Sequence, residues 1–441
     1  MRQSNHRQFK EGNGEKTKEV FMKFLDEREA WFGHLLYGIK YGWLQNGCGI
    51  TEILIREMQP TAVSVLKAYL PCYVKHGEQE FLPTKNQIIG VVQRFIPTTI
   101  QKYKDSDMIG ESIDFAIQVF GLGTFRVNFS YSNDGGCLSI RYLPYDVPKL
   151  EEVGYPPIYR KFIDTIIEDV SVKSPPVMQE SFFIQINGDA EMCSKNQTPE
   201  ISLISTSVPR AGGGLILHIG PTGSGKTTAL ASEIRHIADN TAGLILTYED
   251  PVEFLHIGTQ SPVESFELGR DIKENDDFTL AEMVQRHSLR KNPAVIMFGE
   301  MRTLEQMRTV VELANRGHWV FASMHGNTVV EAISALMAIF KDEPYILSNS
   351  LKAAVAHRLA TNLKGEVVPL FEIFMPDAVR TESLSKGGLD DLKRAVNENL
   401  GEQYVSFEAS LQNLVESDKI TSHEVGRIRK MTLGNITNKD V

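Results

Sequence analysis

One stretch, GPTGSGKTT from Gly220 to Thr228, constrains what this chain can fold into more than any other. It fits the phosphate-binding pattern G-x-x-x-x-G-K-[ST], in which glycines let backbone N–H groups turn toward phosphate oxygens. The pattern requires a buried strand before the loop and a helix after it. The apolar LILHI, Leu215–Ile219, precedes the loop, and TALASEIRHIA, Thr228–Ala238, follows it. The sequence therefore predicts a nucleotide site on an α/β sheet.

Two side chains of this stretch have tasks of their own. Lys226 can reach the β- and γ-phosphates, and the Thr227 hydroxyl can ligate Mg²⁺. We therefore expect a nucleoside triphosphate as the ligand and Mg²⁺ as the cofactor. The residues predicted to bind nucleotide are Gly220, Pro221, Thr222, Gly223, Ser224, Gly225, Lys226, Thr227 and Thr228.

Length and composition limit the class of protein. The 441 residues suggest two or three domains. The net charge of −10 argues against bulk attraction to nucleic acid or to an anionic membrane, so no nucleic-acid partner is expected. No apolar run is long enough to span a bilayer, and the polar N-terminal stretch resembles no secretion signal, which predicts a cytoplasmic protein. The four scattered cysteines form no zinc or disulfide pattern.

Changes in composition divide the chain into five parts. A polar tail over 1–18 precedes N-terminal helices and a small α+β domain over 19–148. Residues 149–213 indicate a linker helix and two inserted strand candidates, SFFIQINGDAEM and PEISLISTS. Alternating strands and helices over 214–431 predict a parallel sheet covered on both faces, and 432–441 form a second polar tail.

The N-terminal part mixes helical and strand patterns. Apolar residues between Val20 and Leu44 recur at helical spacing, and the face that they form either packs on the N-terminal domain or docks a partner. Farther along, NQIIGVVQRFI indicates a helix. The sequence from Asp114 to Pro144 indicates successive strands, with Asn133-Asp134-Gly135-Gly136 as a turn between two of them.

The nucleotide-binding part alternates strand and helix up to Met324, and beyond Val329 we expect mostly helix, with VVPLFEIF as a strand candidate. The predicted strands are Leu215–Ile219, Gly243–Tyr248, Ala294–Gly299 and Trp319–Met324, and the predicted helices cover 228–238, 279–290 and 303–316.

Three further stretches follow or flank these strands, at the edge where an open α/β sheet places its ligands. YEDPVEF carries Glu249, Asp250 and Glu253 directly after a strand, and nucleotide hydrolysis needs carboxylates to orient water and to hold hydrated Mg²⁺. VIMFGEMR delivers Glu300 after an apolar strand, the position of a Walker B acid, although an Asp at the strand end is missing. GHWVFASMH places a histidine at each end of its strand.

Taken in order, these stretches resemble the motifs of one family. GPTGSGKTT, LTYEDPVEF, FGEMRTLE and GHWVFASMHGNT are similar to the Walker A, Asp box, Walker B and His box of the secretion ATPases, the motors of type II and type IV secretion and of type IV pili. The nearest branches are the PilT-like pilus-retraction ATPases and the DotB- and TraJ-like type IVB secretion and conjugation ATPases. The resemblance implies a RecA-like P-loop NTPase domain that follows an N-terminal PAS-like α+β domain.

The resemblance also implies roles for single residues. FRVN and IRYLP look like the end of that family's N-terminal domain, where two arginines reach the nucleotide, which assigns this role to Arg126 and Arg141. Glu253 corresponds to the general base and Glu300 to the Walker B acid. His318 and His325 correspond to the His box, while Glu249 and Asp250 would support Mg²⁺ and water.

Some positions depart from the pattern of PilT-like enzymes. Pro293-Ala294 and Arg302-Thr303 stand where Pro-Asp and Arg-Asp are usual, and His325-Gly326 stands where His-Thr is usual. These departures favour a specialised system, such as type IVB secretion, a conjugative plasmid or a thin pilus, over a housekeeping retraction motor.

The family resemblance implies an ATP-hydrolysing hexamer that works by rotation of its domains. It implies a location in the cytoplasm, peripheral at the inner membrane, on a platform or secretion-complex protein. Two alternatives stay open: a RecA-like translocase that nucleic acid stimulates, and an assembly protein that binds ATP without hydrolysing it.

Overall fold

The computed structural model divides into two compact units. The first comprises the described residues up to Val147 together with Pro251–Leu255, and the second comprises Pro148–Asp250 and the described residues from His256 onward. The described residues are 31–32, 35–36, 50–56, 58–59, 61–65, 68–72, 75–76, 79–80, 82–95, 112–119, 123–132, 135–144, 147–173, 212–363, 367–385, 392, 396, 404–417 and 420–433. The N-terminal polar tail, both inserted strand candidates and residues 434–441 of the C-terminal tail lie outside them. The first two residues predicted for that tail, Thr432 and Leu433, instead end the last helix of the chain that the structure describes.

The first unit is an antiparallel sheet with a helix packed on it, which fits the predicted α+β class. The sheet has six strands in the order β3-β2-β1-β8-β7-β6, and a two-stranded ribbon joins β4 to β5. Its elements are β1 Ile50–Arg56, β2 Thr61–Val65, β3 Ala68–Cys72, β4 Lys75–His76, β5 Gln79–Glu80, α1 Lys85–Phe95, β6 Ser112–Val119, β7 Gly123–Ser132 and β8 Gly135–Pro144.

Apolar side chains at helical and alternating spacing build the core of this unit. Ile88, Val91 and Val92 on α1 are fully buried against the alternate residues of the sheet. Phe32 and Leu36, both helical, are buried in the same core. Of the two interpretations of the N-terminal helical pattern, packing on this domain is therefore confirmed at these two residues.

The second unit is an eight-stranded sheet with helices on both faces, the RecA-like P-loop fold that the sequence predicts. The strand order is β11-β10-β12-β13-β9-β14-β15-β16; neighbours are parallel from β11 to β14, and the last two strands are antiparallel. The strands are β9 Gly214–Ile219, β10 Ile245–Glu249, β11 Val263–Glu267, β12 Val295–Phe298, β13 Trp319–Met324, β14 Leu351–Thr361, β15 Val367–Phe374 and β16 Tyr404–Val405.

The helices of the second unit form two layers because the central strands are apolar on both sides. Alternate residues of β9 divide between them: Leu215 and Leu217 face one apolar layer, and Ile216 faces the other, beside α2 and α3. The helices are α2 Pro157–Lys173, α3 Lys226–Asn240, α4 Leu280–Lys291, α5 Leu304–Asn315, α6 Val329–Ile339, α7 Pro344–Ser350, α8 Ala378–Ser385, α9 Phe407–Glu416 and α10 Ser422–Leu433.

One strand contradicts the expectation of a mostly helical C-terminal part. Leu351–Thr361 forms β14, the neighbour of β9, and VVPLFEIF forms β15 as predicted. The sequence LKAAVAHRLAT consists largely of good helix formers. The strand nevertheless forms because β9 and β15 pair with both of its edges and most of its side chains are buried.

Candidate nucleotide site

The phosphate loop has the backbone that anion binding requires. Gly223 and Gly225 have φ angles of 76° and 91°, a left-handed region that L side chains seldom adopt. Helix α3 begins at Lys226 directly after Gly225, and no side chain caps its N-terminus. The first N–H groups of a helix have no acceptor within the helix and carry partial positive charge. The loop therefore presents donors where a phosphate would lie.

Two polar side chains inside the loop fit a phosphate group as well. Lys226 is 7% exposed, and its ammonium donates to the carbonyl oxygens of Gly220 at 2.7 Å and Pro221 at 3.1 Å. The Ser224 hydroxyl is buried and has no hydrogen-bond partner among the residues that the structure describes. Because buried polar atoms are normally hydrogen-bonded, this orphaned hydroxyl favours a polar ligand at the loop.

The edge of the sheet beside the loop brings together an acid, a base and an arginine. Glu300 follows β12 and His325 follows β13, and their Oε1 and Nε2 atoms are 2.7 Å apart. Arg302 donates from Nε to the second Glu300 oxygen at 2.8 Å and from Nη1 to Asp250 at 2.7 Å. These side chains meet because the carboxyl ends of the parallel strands β10, β12 and β13 share this edge.

The pKa of the Glu300 carboxyl results from opposing effects. Burial alone would raise the pKa, but the hydrogen bond from Arg302 and the charges of His325, Arg302 and Lys226 outweigh it, so the pKa lies below its usual value. Glu300 is therefore ionised at neutral pH. A carboxylate in this state can orient water or the hydration shell of Mg²⁺, because it accepts hydrogen bonds only.

Arg302 is the member of this group that sequence reasoning did not assign to the site. Its position two residues after Glu300 is the only sequence signal that indicates a place in the site. In the family pattern the Arg302-Thr303 pair stands out for its threonine, not for its arginine. Thr303 caps α5 together with Gln306, whose Oε1 also accepts from the Arg302 backbone N–H at 2.7 Å. The cap thus fixes the backbone that carries the arginine.

A pocket of about 160 Å³ opens between the Asp box and the Walker B strand. Its polar side chains are the carboxylates and the guanidinium of this edge, together with one amide. It is lined by Asp250, Leu268, Gly269, Leu280, Glu300, Arg302 and Gln306.

The residues predicted to support Mg²⁺ differ in their surroundings. Asp250 is about half exposed and pairs with Arg302, whereas Glu249 is 3% exposed and accepts from the Thr247 hydroxyl at 3.1 Å. Thr227 lies half-buried in the first turn of α3. Among the described residues, no three His, Cys, Asp or Glu side chains converge as a metal site. A Mg²⁺ ion held largely by phosphate and water fits this donor set.

The structure does not bring His318 to the loop. It precedes β13, and this end of β13 lies beside Gly214, the start of β9, whereas the phosphate loop follows the other end of β9. Its ring is buried, and Nδ1 lies 2.8 Å from the Pro293 carbonyl oxygen. A catalytic role for His318 stays a prediction, and its local contacts are those of a structural histidine.

The remaining predicted side chains belong to the first unit. Arg126 on β7 and Arg141 on β8 stand directly opposite each other in the register of the sheet. Like charges in this position repel, so an anion between them would be stabilising. Arg126 Nη1 is 3.5 Å from Glu253 Oε1. The roles of these three residues stay predictions.

Comparison with known proteins identifies relatives over most of the chain. Residues 194–387 match the family described as type II/IV secretion system protein. The chain is 26% identical over 314 residues to the type IV pilus ATPase PilU of Pseudomonas aeruginosa. The aligned residues cover 70% of this chain and 69% of PilU.

Two solved structures share the fold. The pilus retraction motor PilT with bound ADP has a TM-score of 0.65 at 22% identity and covers 88% of this chain and 96% of its own. The ATPase DotB of Legionella pneumophila has a TM-score of 0.64 at 19% identity, and the match covers 94% of this chain and 96% of DotB. The phosphate loop and the acidic edge both lie within residues 194–387, so the part of the chain that carries this site matches the family described as type II/IV secretion system protein.

Proposed function

We propose that the chain is an ATP-hydrolysing motor that works as a hexamer and powers a type IV pilus or a type IVB secretion or conjugation apparatus by domain rotation. The observation that carries the proposal is the acidic edge, where Glu300, His325, Arg302 and Asp250 stand in one connected group beside the uncapped helix of the phosphate loop. The names of the relatives, pilus and secretion ATPases, supply the apparatus.

The chemistry assigns separate tasks to the residues of the second unit. The loop amides and Lys226 would hold the β- and γ-phosphates, and Lys226 would exchange its two carbonyl partners for phosphate oxygens. Thr227, with Glu249 and Asp250 through water, would hold Mg²⁺, which when bound neutralises charge on the transferred phosphoryl group. Glu300 would orient the hydration shell or the attacking water, with His325 and Arg302 fixing its two oxygens.

Four further residues have proposed roles in the reaction. Glu253 would take the proton from the attacking water as general base. Arg126 and Arg141, opposite each other on β7 and β8, form a pair of guanidinium groups suited to the charge that develops on the γ-phosphate. His318 would act in the His box, as the family resemblance implies, although its contacts favour a structural task.

The surroundings of the motor are also proposals. A homo-hexamer would dock peripherally at the inner membrane on a platform or secretion-complex protein, from the cytoplasm. In the part of the chain that the structure describes, no helix has the length and apolarity to cross a bilayer.

Phosphate release by the purified chain with Mg²⁺ and ATP tests the proposal. We expect hydrolysis that Lys226→Ala abolishes and that Lys291→Ala, a matched change of a surface lysine paired with Glu264 on the same unit, leaves unchanged. Lack of hydrolysis in the wild type would contradict the motor and favour an assembly protein that only binds nucleotide. Strong stimulation by DNA or RNA that falls with salt would favour a translocase instead.

A further inference from the structure

A fully buried group of ionisable side chains lies directly behind the phosphate loop, on the face of the sheet that packs against α2 and α3. It consists of His218 on β9, Glu233 on α3 and His357 on β14, each at most 2% exposed. The same layer contains a cluster of buried hydrophobic side chains, among them Tyr155 and Tyr159. Burying ionisable groups costs free energy unless they are paired, so their presence requires an explanation.

His218 joins the other two members. Its Nδ1 is 2.8 Å from Nε2 of His357, and its Nε2 is 3.0 Å from Oε2 of Glu233, an ion-pair distance whose alignment falls short of a hydrogen bond. Burial first, and then the charges of His218, Lys226 and Arg358, lower the pKa of His357 well below its usual value. His357 is therefore neutral. The imidazole of His218 connects helix α3 to strand β14, because it contacts both Glu233 and His357.

The backbone of His357 extends this connection to the loop. Its carbonyl oxygen lies only 3.1 Å from the position that a Cβ on Gly220 would occupy, so the first residue of the loop rests against this peptide. The Gly220 carbonyl in turn accepts from Lys226 at 2.7 Å. The contacts run from Glu233 through His218 and His357 to Gly220, and from there to the lysine of the phosphate site.

Two tyrosines bring the linker helix to the same carboxylate. Tyr155, just before α2, and Tyr159, in its first turn, are buried. Burial first and the charge of Glu233 second raise the pKa of both hydroxyls well above the usual value, so both stay protonated beside the carboxylate. Glu233 is thus where α2, α3 and β9 meet.

We infer that Glu233 is a positioning residue for the phosphate loop. Through His218 and His357 it sets where Gly220 and Lys226 stand, and so it sets the affinity of the loop for nucleotide phosphates without touching the nucleotide. The inference rests on the proposed nucleotide site, and it adds a control point that lies outside that site. A purely structural role predicts lost stability with unchanged affinity.

The test measures the Kd of a fluorescent ADP analogue together with the melting temperature. For Glu233→Gln and His357→Leu we expect binding about tenfold weaker, because small displacements of a positioned group are costly. His357→Gln keeps a nitrogen toward His218 and should recover most of the affinity. Thr241→Val is the matched control: it breaks the buried hydroxyl pair of Thr241 and Ser261, 2.8 Å apart at the far end of the same helix.

The control variant should lose stability and keep the wild-type Kd. Affinities of Glu233→Gln and His357→Leu within about twofold of the wild type would overturn the inference. If Glu233→Gln fails to fold, the difference between His357→Gln and His357→Leu decides it in the same way. Wild-type phosphate release is measured in parallel: nucleotide binding without hydrolysis would contradict the motor alone, and no nucleotide binding would overturn both.

Discussion

Two glutamate–histidine pairs in the second unit have nearly the same geometry and opposite surroundings. Glu300 and His325 are 2.7 Å apart with side chains 25% and 54% exposed, while Glu233 and His218 are 3.0 Å apart and completely buried. Solvent screens the first pair, which leaves it free to exchange partners with a ligand. The second pair is shielded from solvent, so water cannot take the place of a partner that is removed. The comparison separates a pair suited to chemistry from a pair that holds structure in place.

The largest expected difference is in stability. Glu233→Ala leaves His218 facing an emptied buried site, and removing one partner of a buried pair typically costs about 3–5 kcal/mol of unfolding free energy. His325→Ala, at the exposed pair, should cost less than about 1 kcal/mol. Urea unfolding followed by circular dichroism measures both. Equal losses of unfolding free energy at the two sites would contradict the comparison, because burial would then not determine how much such a pair stabilises the fold.

For the rate of ATP hydrolysis, we expect the larger effect at the exposed pair of Glu300 and His325. Glu300→Gln keeps the shape of the side chain and removes its charge, and we expect kcat for ATP hydrolysis to fall about 10²–10³-fold, the cost of losing one preorganised electrostatic contact. Glu305→Gln, an exposed glutamate in the first turn of α5, is the matched control and should keep wild-type kcat. A Glu300→Gln protein with more than half of the wild-type kcat would remove this carboxylate from the proposed site.

The exposed pair could be predicted from the sequence, because each partner follows a strand. An apolar run that ends in Gly299-Glu300, and another that ends in His325, place both side chains at one edge of a parallel sheet once the alternation of strand and helix is recognised. The same local pattern could not separate His318 from His325. Which end of β13 faces the phosphate loop follows from its pairing with β9.

The buried pair could not be predicted, because its partners are set by the register of the sheet. His218 sits inside an apolar strand, Glu233 reads as an ordinary helical glutamate, and His357 is 139 positions from His218. His357 also lies in the alanine-rich stretch whose composition favours helix, so its strand was itself missed. Tertiary pairing overrides the local preference there, and only that pairing brings the two rings into contact.

A pH series sharpens the comparison through the buried histidines. His357 and His256 both have pKa values lowered mainly by burial, that of His256 to about 4. A histidine that is neutral in the folded chain binds more protons when unfolded, so stability falls as pH drops below the unfolded pKa of about 6.5 and goes on falling to the folded pKa. Between pH 7 and 5 the loss for His256 is about 2 kcal/mol.

Urea unfolding at pH 7, 6 and 5 measures this dependence. His357→Gln and His256→Gln should each flatten it, because glutamine takes up no proton over this range. Thr241→Val, which changes no ionisable group, is the control and should leave the slope as in the wild type. A wild-type protein with equal stability at pH 7 and pH 5 would contradict the neutral state assigned to the buried rings.

The smallest expected effect concerns Thr303, one of the departures from the family pattern. It caps α5 next to Arg302, the residue that donates to Glu300 of the exposed pair. Its hydroxyl accepts from the Gln306 N–H, and Gln306 accepts from the backbone N–H of Arg302 and of Thr303. Thr303→Ala removes the cap and should cost about 1 kcal/mol of unfolding free energy. Thr303→Asp restores a capping oxygen and should recover it, which would explain why either residue serves at this position. Thermal unfolding of the two variants decides the matter: equal melting temperatures would mean that the cap contributes nothing, and that Arg302 is held by its two carboxylates alone.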